Sequence, residues 1–195
     1  MRTKICGITN LDDALMAVHA GADALGFVFY RNSPRYITVE AAAAIVQELP
    51  PFVEKVALFV NVDAATVNAT CQQAKMSLAQ IHFEADEAFY DALNVPYLRV
   101  VRARNRDDIL RHSHHYRLVD AYCEGYGGAG KRLNMEWFED VECSKIILAG
   151  GLNEHNVASL KPYGFYGVDV SSGVEASKRK KDALKVRKFI QEAHS

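Results

Sequence analysis

Short apolar runs alternate along the chain with longer stretches in which apolar positions recur at helical spacing, and turn residues separate the two. The first run, Thr3–Thr9, reads as a buried strand that presents the thiol of Cys6 near its carboxyl end. Gly7 breaks that run, Asn10 caps a helix over Leu11–Ala20, and Gly21 stops it. The unit then repeats. Ala24–Phe29, Lys55–Asn61, Leu78–His82, Tyr97–Val101, Tyr116–Ala121, Lys145–Ala149 and Tyr166–Val170 read as further strands. Helices are expected over Val39–Leu49 behind Thr38, from Asp63 to about Lys75, over about Asp86–Leu93 and over Arg106–His112. A short one is expected over Met135–Asp140, one from Asn153 to Leu160, and an amphipathic one over about Lys180–Ala193 to close the chain.

Strands that are apolar on both faces suit a parallel sheet, and right-handed crossovers wind successive strands one way. Eight strands alternating with eight helical segments point to an α/β fold, a small (β/α)8 TIM barrel with a closed parallel sheet and a single domain over residues 1–195. Barrels of this kind usually need about 250 residues, so the loops here must be short. An open doubly wound sheet would carry a glycine fingerprint after the first strand, and Cys6-Gly7-Ile8-Thr9 does not supply it. The longest loop is Cys123–Gly130, which is too rich in glycine for helix or strand.

Charge and composition narrow the partners. A formal net charge of -1 gives no basis for a nucleic acid or an anionic membrane, so a small-molecule substrate is expected. Cys6, Cys71, Cys123 and Cys143 are widely separated with no CxxC pair, which reads as reduced thiols in a cytoplasmic protein. No stretch approaches the roughly 18 apolar residues of a membrane span.

In a barrel, the residues just past each strand share one face, where barrel enzymes keep their sites. Here they are Cys6, the loop holding Arg35, Asn61, His82, Arg102, Asp120, Gly150-Gly151 and Ser171-Ser172-Gly173. Each has a plain structural reading: Cys6 as a packed core side chain, Asn61 and Asn153 as turn or cap residues, His82 as a rim residue, Asp120 as a loop start. Together they place a thiol and a carboxylate at one mouth, able to divide proton transfers as base and acid. Small residues at the seventh and eighth strand ends, Gly150, Gly151, Ser171, Ser172 and Gly173, suit phosphate held by backbone N–H groups. His112, His114 and His115 lie in a polar stretch and read as a solvated surface, not as metal ligands. The basic run Lys178–Lys181, flanked by Glu175 and Asp182, reads as an exposed helix start.

The segments Lys4–Thr9 (KICGIT), Gly21–Ile37, Leu58–Asn61 (LFVN), Leu118–Gly130, Ile147–Leu152 (ILAGGL) and Val168–Glu175 (VDVSSGVE) resemble the phosphoribosylanthranilate isomerase family, in register with all eight strands. The resemblance implies the Amadori rearrangement of tryptophan biosynthesis, with Cys6 as general base and Asp120 as general acid. It also implies that Arg35 holds the anthranilate carboxylate, that the Gly150-Gly151 and Ser171-Ser172-Gly173 loops take the phosphate of a phosphosugar, and that His82 lines the site. Neither a cofactor nor a metal is needed. Cys6 as base calls for a lowered pKa, and Lys4 and the dipoles of the barrel mouth would supply it. Phe83 stands where the family usually has glycine, so loop four is expected to differ locally, and Asn134-Met135-Glu136-Trp137 alters the approach to the sixth helix. A histidine-pathway ribonucleotide isomerase would pair two aspartates, against which Cys6 argues, and a silent phosphosugar-binding barrel would not keep Cys6, Asp120 and Arg35 together. A monomer is expected, since no apolar stripe is left over once the helices cover the barrel.

Overall fold

Eight parallel strands hydrogen-bond in chain order and the last returns to the first, closing the sheet: β1 (Arg2–Cys6), β2 (Ala24–Val28), β3 (Glu54–Phe59), β4 (Leu78–Ile81), β5 (Tyr97–Ala103), β6 (Arg117–Ala121), β7 (Ile146–Leu148) and β8 (Gly167–Val170). This is a computed structural model in which residues 1–122 and 132–195 are described, so the glycine-rich loop expected at Cys123–Gly130 lies outside the described residues.

Alternate side chains of a strand face opposite ways, so closure sorts the sequence into two layers. The outer layer, including Ile5, Leu25, Phe27, Phe59, Ile81, Val119 and Val168, is buried beneath the helices and forms the main core. The inner layer is part apolar and part polar. Its apolar part is a separate cluster of Leu98, Val100, Leu118 and Ala149, with Leu78 and Ile147 packed on it, contributed by β4 to β7 and the residue after β7. Towards the carboxyl ends the same face turns polar. The register sets Lys4 beside Asp169, Cys6 beside Gly26, and Arg102 beside Asp120. The polar end is the mouth.

The helices begin where short polar side chains satisfy their first N–H groups. Asn10, Thr38, Asp63, Asp86 and Asn105 cap α1 (Leu11–His19), α2 (Val39–Gln47), α3 (Ala64–Gln73), α4 (Glu87–Asp91) and α5 (Arg106–Leu110) respectively. Loop four accommodates Phe83 without a left-handed residue at that position, and its ring packs edge-on against Phe89 at 5.3 Å. Asn61 takes the left-handed conformation (φ 51) and so acts as the turn residue after β3.

Two segments depart from the pattern read in the sequence. After β7 the chain forms a 3-10 helix, Val157–Tyr163, and not an α-helix from Asn153. The Asn153 side chain accepts the N–H of His155, two residues on, which makes a turn where a cap was expected, and Pro162 inside the segment has no N–H to extend it. The closing helix α6 (Ala183–His194) starts three residues later than expected, behind Asp182, which accepts the N–H groups of Leu184 and Lys185. Lys180–Lys181 is instead strand β10, antiparallel to β9 (Glu175–Ser177). The buried carboxylate of Asp13 holds it extended, accepting from the Lys181 N–H at 2.8 Å and from Lys180 Nζ at 2.7 Å. The basic run is therefore no exposed helix start: the Lys181 side chain is fully buried.

Candidate active site

Cys6 ends β1 on the inner face and is 5% exposed. Its neighbour across the ladder is Gly26, where an added Cβ would lie 2.8 Å from Sγ and 3.0 Å from both Cε and Nζ of Lys4. Only glycine leaves room there for a thiol and an ammonium side by side. Lys4 donates to Asp169 of β8 at 2.8 Å, an ion pair formed across the seam that closes the barrel. Burial is the largest single influence and works against the Lys4 charge, but Asp169 and Cys6 together outweigh it and raise the pKa. The thiol departs from expectation. Burial raises the Cys6 pKa above the ordinary thiol value and Asp169 adds to it, while Lys4 and Lys181 pull it down without overcoming them. The reason is that closing the barrel removes water from the sulfur, a cost that a motif near the amino terminus does not reveal.

Opposite Cys6, β6 carries Asp120 and the end of β4 carries His82, whose Nε2 is 3.8 Å from Asp120 Oδ2. Burial, with a contribution from Asp169, pushes the Asp120 carboxyl up to about 6, against the Ala121 N–H that it accepts at 2.8 Å and the charges of Arg102 and Lys4. Burial pushes His82 down to about 3, so its ring is neutral at physiological pH. The Gln80 amide lies 3.4 Å from His82 Nδ1. With Gln80 donating there, the ring proton sits on Nε2, on the side of Asp120. His82 Nε2 and Gln80 Oε1 are buried and make no hydrogen bond.

Arg35 reaches in from the loop after β2, its stem lying over Gly7, where an added Cβ would come within 2.4 Å of Cδ. Gly7 has φ 78 and needs glycine for conformation as well as for space. The Arg35 fork is held by Glu175, with Nε and Nη2 each donating at 2.7 Å. Lys181 completes the cluster, donating to Glu175 Oε1 at 3.2 Å and to the Ser171 carbonyl at 3.0 Å. Burial opposes the Glu175 charge, but Arg35 and Lys181 overcome it and hold its pKa below the usual carboxylate range. Close by, Gly150 (φ 94) and Gly151 (φ 64) turn the chain after β7. The Gly173 backbone approaches Leu152 so closely that an added Cβ would sit 1.8 Å from the Leu152 carbonyl oxygen. The loops after β7 and β8 are thereby locked together. Ser171 Oγ is buried and makes no hydrogen bond, whereas Ser172 is exposed.

A family model described as N-(5'phosphoribosyl)anthranilate (PRA) isomerase matches residues 3–192. The chain belongs to this family. Membership makes it an isomerase, an aldose–ketose intramolecular oxidoreductase of tryptophan biosynthesis. Among its relatives, the phosphoribosylanthranilate isomerase of Sulfurovum sp. is 62% identical over 195 residues, covering 100% of both chains. The crystal structure of the isomerase from Thermotoga maritima superposes with a TM-score of 0.89 at 37% identity, covering 100% of this chain and 98% of that one. A second isomerase structure, a complex with reduced 1-(o-carboxyphenylamino)-1-deoxyribulose 5-phosphate, matches with a TM-score of 0.85 at 36% identity and the same coverage.

In this family member the barrel brings Cys6, His82, Arg102 and Asp120 to one mouth, and Arg35, Gly150, Gly151, Ser171, Ser172 and Gly173 to the β1, β7 and β8 side of it. Reading the sequence named Lys4 only as a charge near Cys6 and missed Gln80, Asp169, Glu175 and Lys181, all of which are polar groups at the mouth. A signal was present in the strands. Lys4, Gln80 and Asp169 interrupt otherwise apolar runs at alternate positions, the mark of an inner face that is not apolar throughout. Glu175 and Lys181 had none, since their pairing with each other depends on the β9–β10 turn and the Arg35 that binds Glu175 lies 140 residues away.

Proposed function

We propose that this chain rearranges N-(5'-phosphoribosyl)anthranilate to 1-(2-carboxyphenylamino)-1-deoxyribulose 5-phosphate, with Cys6 as general base and Asp120 as general acid. The observation that carries the reading is the pairing on the inner face, at one mouth, of a thiol and a carboxyl whose pKa is pushed up to about 6, so that a fraction of the carboxyl still holds a proton to give near neutrality. Asp120 protonates the furanose ring oxygen as the C1′–O bond breaks, and the electron pair on nitrogen forms the protonated imine. The Cys6 thiolate then removes the C2′ proton, and the bonding pair moves to give the enolamine. Loss of the enol proton and protonation at C1′ complete the ketone, so nothing is oxidised or reduced outside the substrate. Neutral His82 walls the site beside Asp120.

Arg35 and Lys181 against Glu175 leave the cluster with one unit of positive charge, which the substrate's aryl carboxylate neutralises at the Arg35 guanidinium. The phosphate takes the loops of Gly150, Gly151, Ser171, Ser172 and Gly173, and the buried, unpartnered Ser171 hydroxyl supports that placement. All these residues come from one chain, so a monomer suffices. The buried free thiols of Cys6, Cys71 and Cys143 suit a reducing cytoplasm, and among the described residues no helix is long and apolar enough to cross a membrane.

The test follows the anthranilate fluorescence of freshly made phosphoribosylanthranilate. Rapid loss with the wild type, and a fall of about two to four orders of magnitude in both Cys6→Ser and Asp120→Asn, is the expected result. Full turnover by either variant would overturn its assignment.

A further inference from the structure

Lys4 and Asp169 are a buried ion pair with side-chain exposures of 6% and 11%, set in the inner layer where the reaction needs shape and the fold needs only packing. As a stabilising device such a pair is a poor choice, because apolar side chains of similar volume do as well once desolvation is counted. Its position suggests another use. Lys4 precedes Cys6 by two residues on the same face of β1, and both side-chain ends lie over Gly26. Asp169 takes a single hydrogen bond from an ammonium that carries three donors.

We propose that Lys4 and Asp169 form a positioning pair for Cys6, in which Lys4 supplies the positive charge against which the thiolate forms and Asp169 holds the ammonium at the height of the sulfur. The inference rests on Cys6 being the base. The charged groups around the sulfur agree with it. Lys4 comes from its own strand, Asp169 from β8, Lys181 from β10, and Arg35 from the loop after β2, with Glu175 of β9 bound to the last two. Asp120, His82 and Arg102 face it from β6, β4 and β5 across the mouth. Among the groups on the near side there are three cations and two carboxylates, so before substrate binds the thiolate forms in net positive surroundings. Lys181 and Arg35 are committed to Glu175 and to the Ser171 carbonyl. Lys4 is the cation that shares the sulfur's own face and its gap over Gly26.

The experiment titrates the ultraviolet absorbance of the Cys6 thiolate as the difference between each protein and the same protein carrying Cys6→Ser. Lys4→Met is expected to raise the midpoint by about one pH unit or more, and Asp169→Asn to lower it, because it removes a negative charge and leaves the ammonium to the sulfur. Opposite shifts are the signature, since loss of packing alone would not reverse sign. Turnover by Lys4→Met should fall about tenfold at neutral pH with KM within about twofold, the deficit staying level until the pH passes the wild-type thiol midpoint and closing above it. Midpoints that stay put, or that move the same way in both variants, would overturn the proposal. If either single variant fails to fold, Lys4→Gln or Asp169→Ser takes its place, with the midpoint expected to rise in the first and fall in the second, and a midpoint that stays put there counts equally against the proposal. Wild-type turnover in Cys6→Ser would instead sink the reading of Cys6 as base, while the titration would still decide whether Lys4 governs the thiol.

Discussion

Replacing Asp120 with Asn should make the protein more stable and nearly inactive. The carboxyl titrates near 6 in the fold against 3.8 for the free side chain, chiefly because of burial and secondly because of Asp169. At about 1.36 kcal/mol per pKa unit, ionising it inside the barrel costs about 3 kcal/mol at pH 7. Little is lost to solvent screening, since the side chain is 14% exposed. The sign follows from the direction of the shift. Below pH 3.8 the group is protonated in folded and unfolded chains alike and costs nothing, whereas between 3.8 and about 6 the unfolded chain ionises first and the penalty grows to its full value. Asn has the same shape, keeps an oxygen for the Ala121 N–H and carries no charge. Urea unfolding should therefore show the variant about 3 kcal/mol more stable at pH 7 and about 1.5 kcal/mol more stable at pH 5. A variant that is no more stable than the wild type at pH 7, or whose advantage is the same at both pH values, would refute the electrostatic reasoning. The loss of kcat, about two to four orders of magnitude, would mark the strain as the cost of a carboxyl able to donate a proton.

Since burial sets the Cys6 thiol above the Asp120 carboxyl, the form with a thiolate and a protonated acid is a minority whose share stays constant between their two pKa values. Plotted against pH, kcat/KM should be level from about pH 6 to beyond neutrality and drop about tenfold per unit below it; a decline already under way at pH 7 would contradict this. Glu175→Gln leaves Arg35 and Lys181 buried without their carboxylate and should cost about 3 kcal/mol in urea unfolding, and a loss under about 0.5 kcal/mol would show that the cluster is not a buried ionic one. In Gly173→Ala a methyl group meets the Leu152 carbonyl and must part the two loops, so KM for the substrate and the inhibition constant of inorganic phosphate should rise together; a rise in KM alone would place the phosphate elsewhere.

What could be read from the sequence was local. The helix starts at Asn10, Thr38, Asp63 and Asp86 were legible because a capping side chain reaches no further than its own first turn. The strand count was legible because a run buried on both faces writes its burial into consecutive residues, and the count of eight then placed Cys6, His82 and Asp120 on one rim. Where local signals misled, a distant partner had intervened. Asp13 draws Lys180 and Lys181 into an extended strand 167 and 168 residues away in sequence, and the helix they were expected to start begins only at Ala183.

The tertiary structure alone decided the electrostatics. Closure of the sheet brings β8 against β1, and only then does Lys4 find Asp169 at a separation of 165 residues and Arg35 find Glu175 at 140. The same closure strips water from Cys6, Asp120 and His82 and moves all three pKa values towards the uncharged form. Residue types and their order along the chain determine which groups arrive at the mouth. How much each charge costs there depends on the surrounding dielectric and on neighbours from every other strand, and those exist only once the barrel is closed.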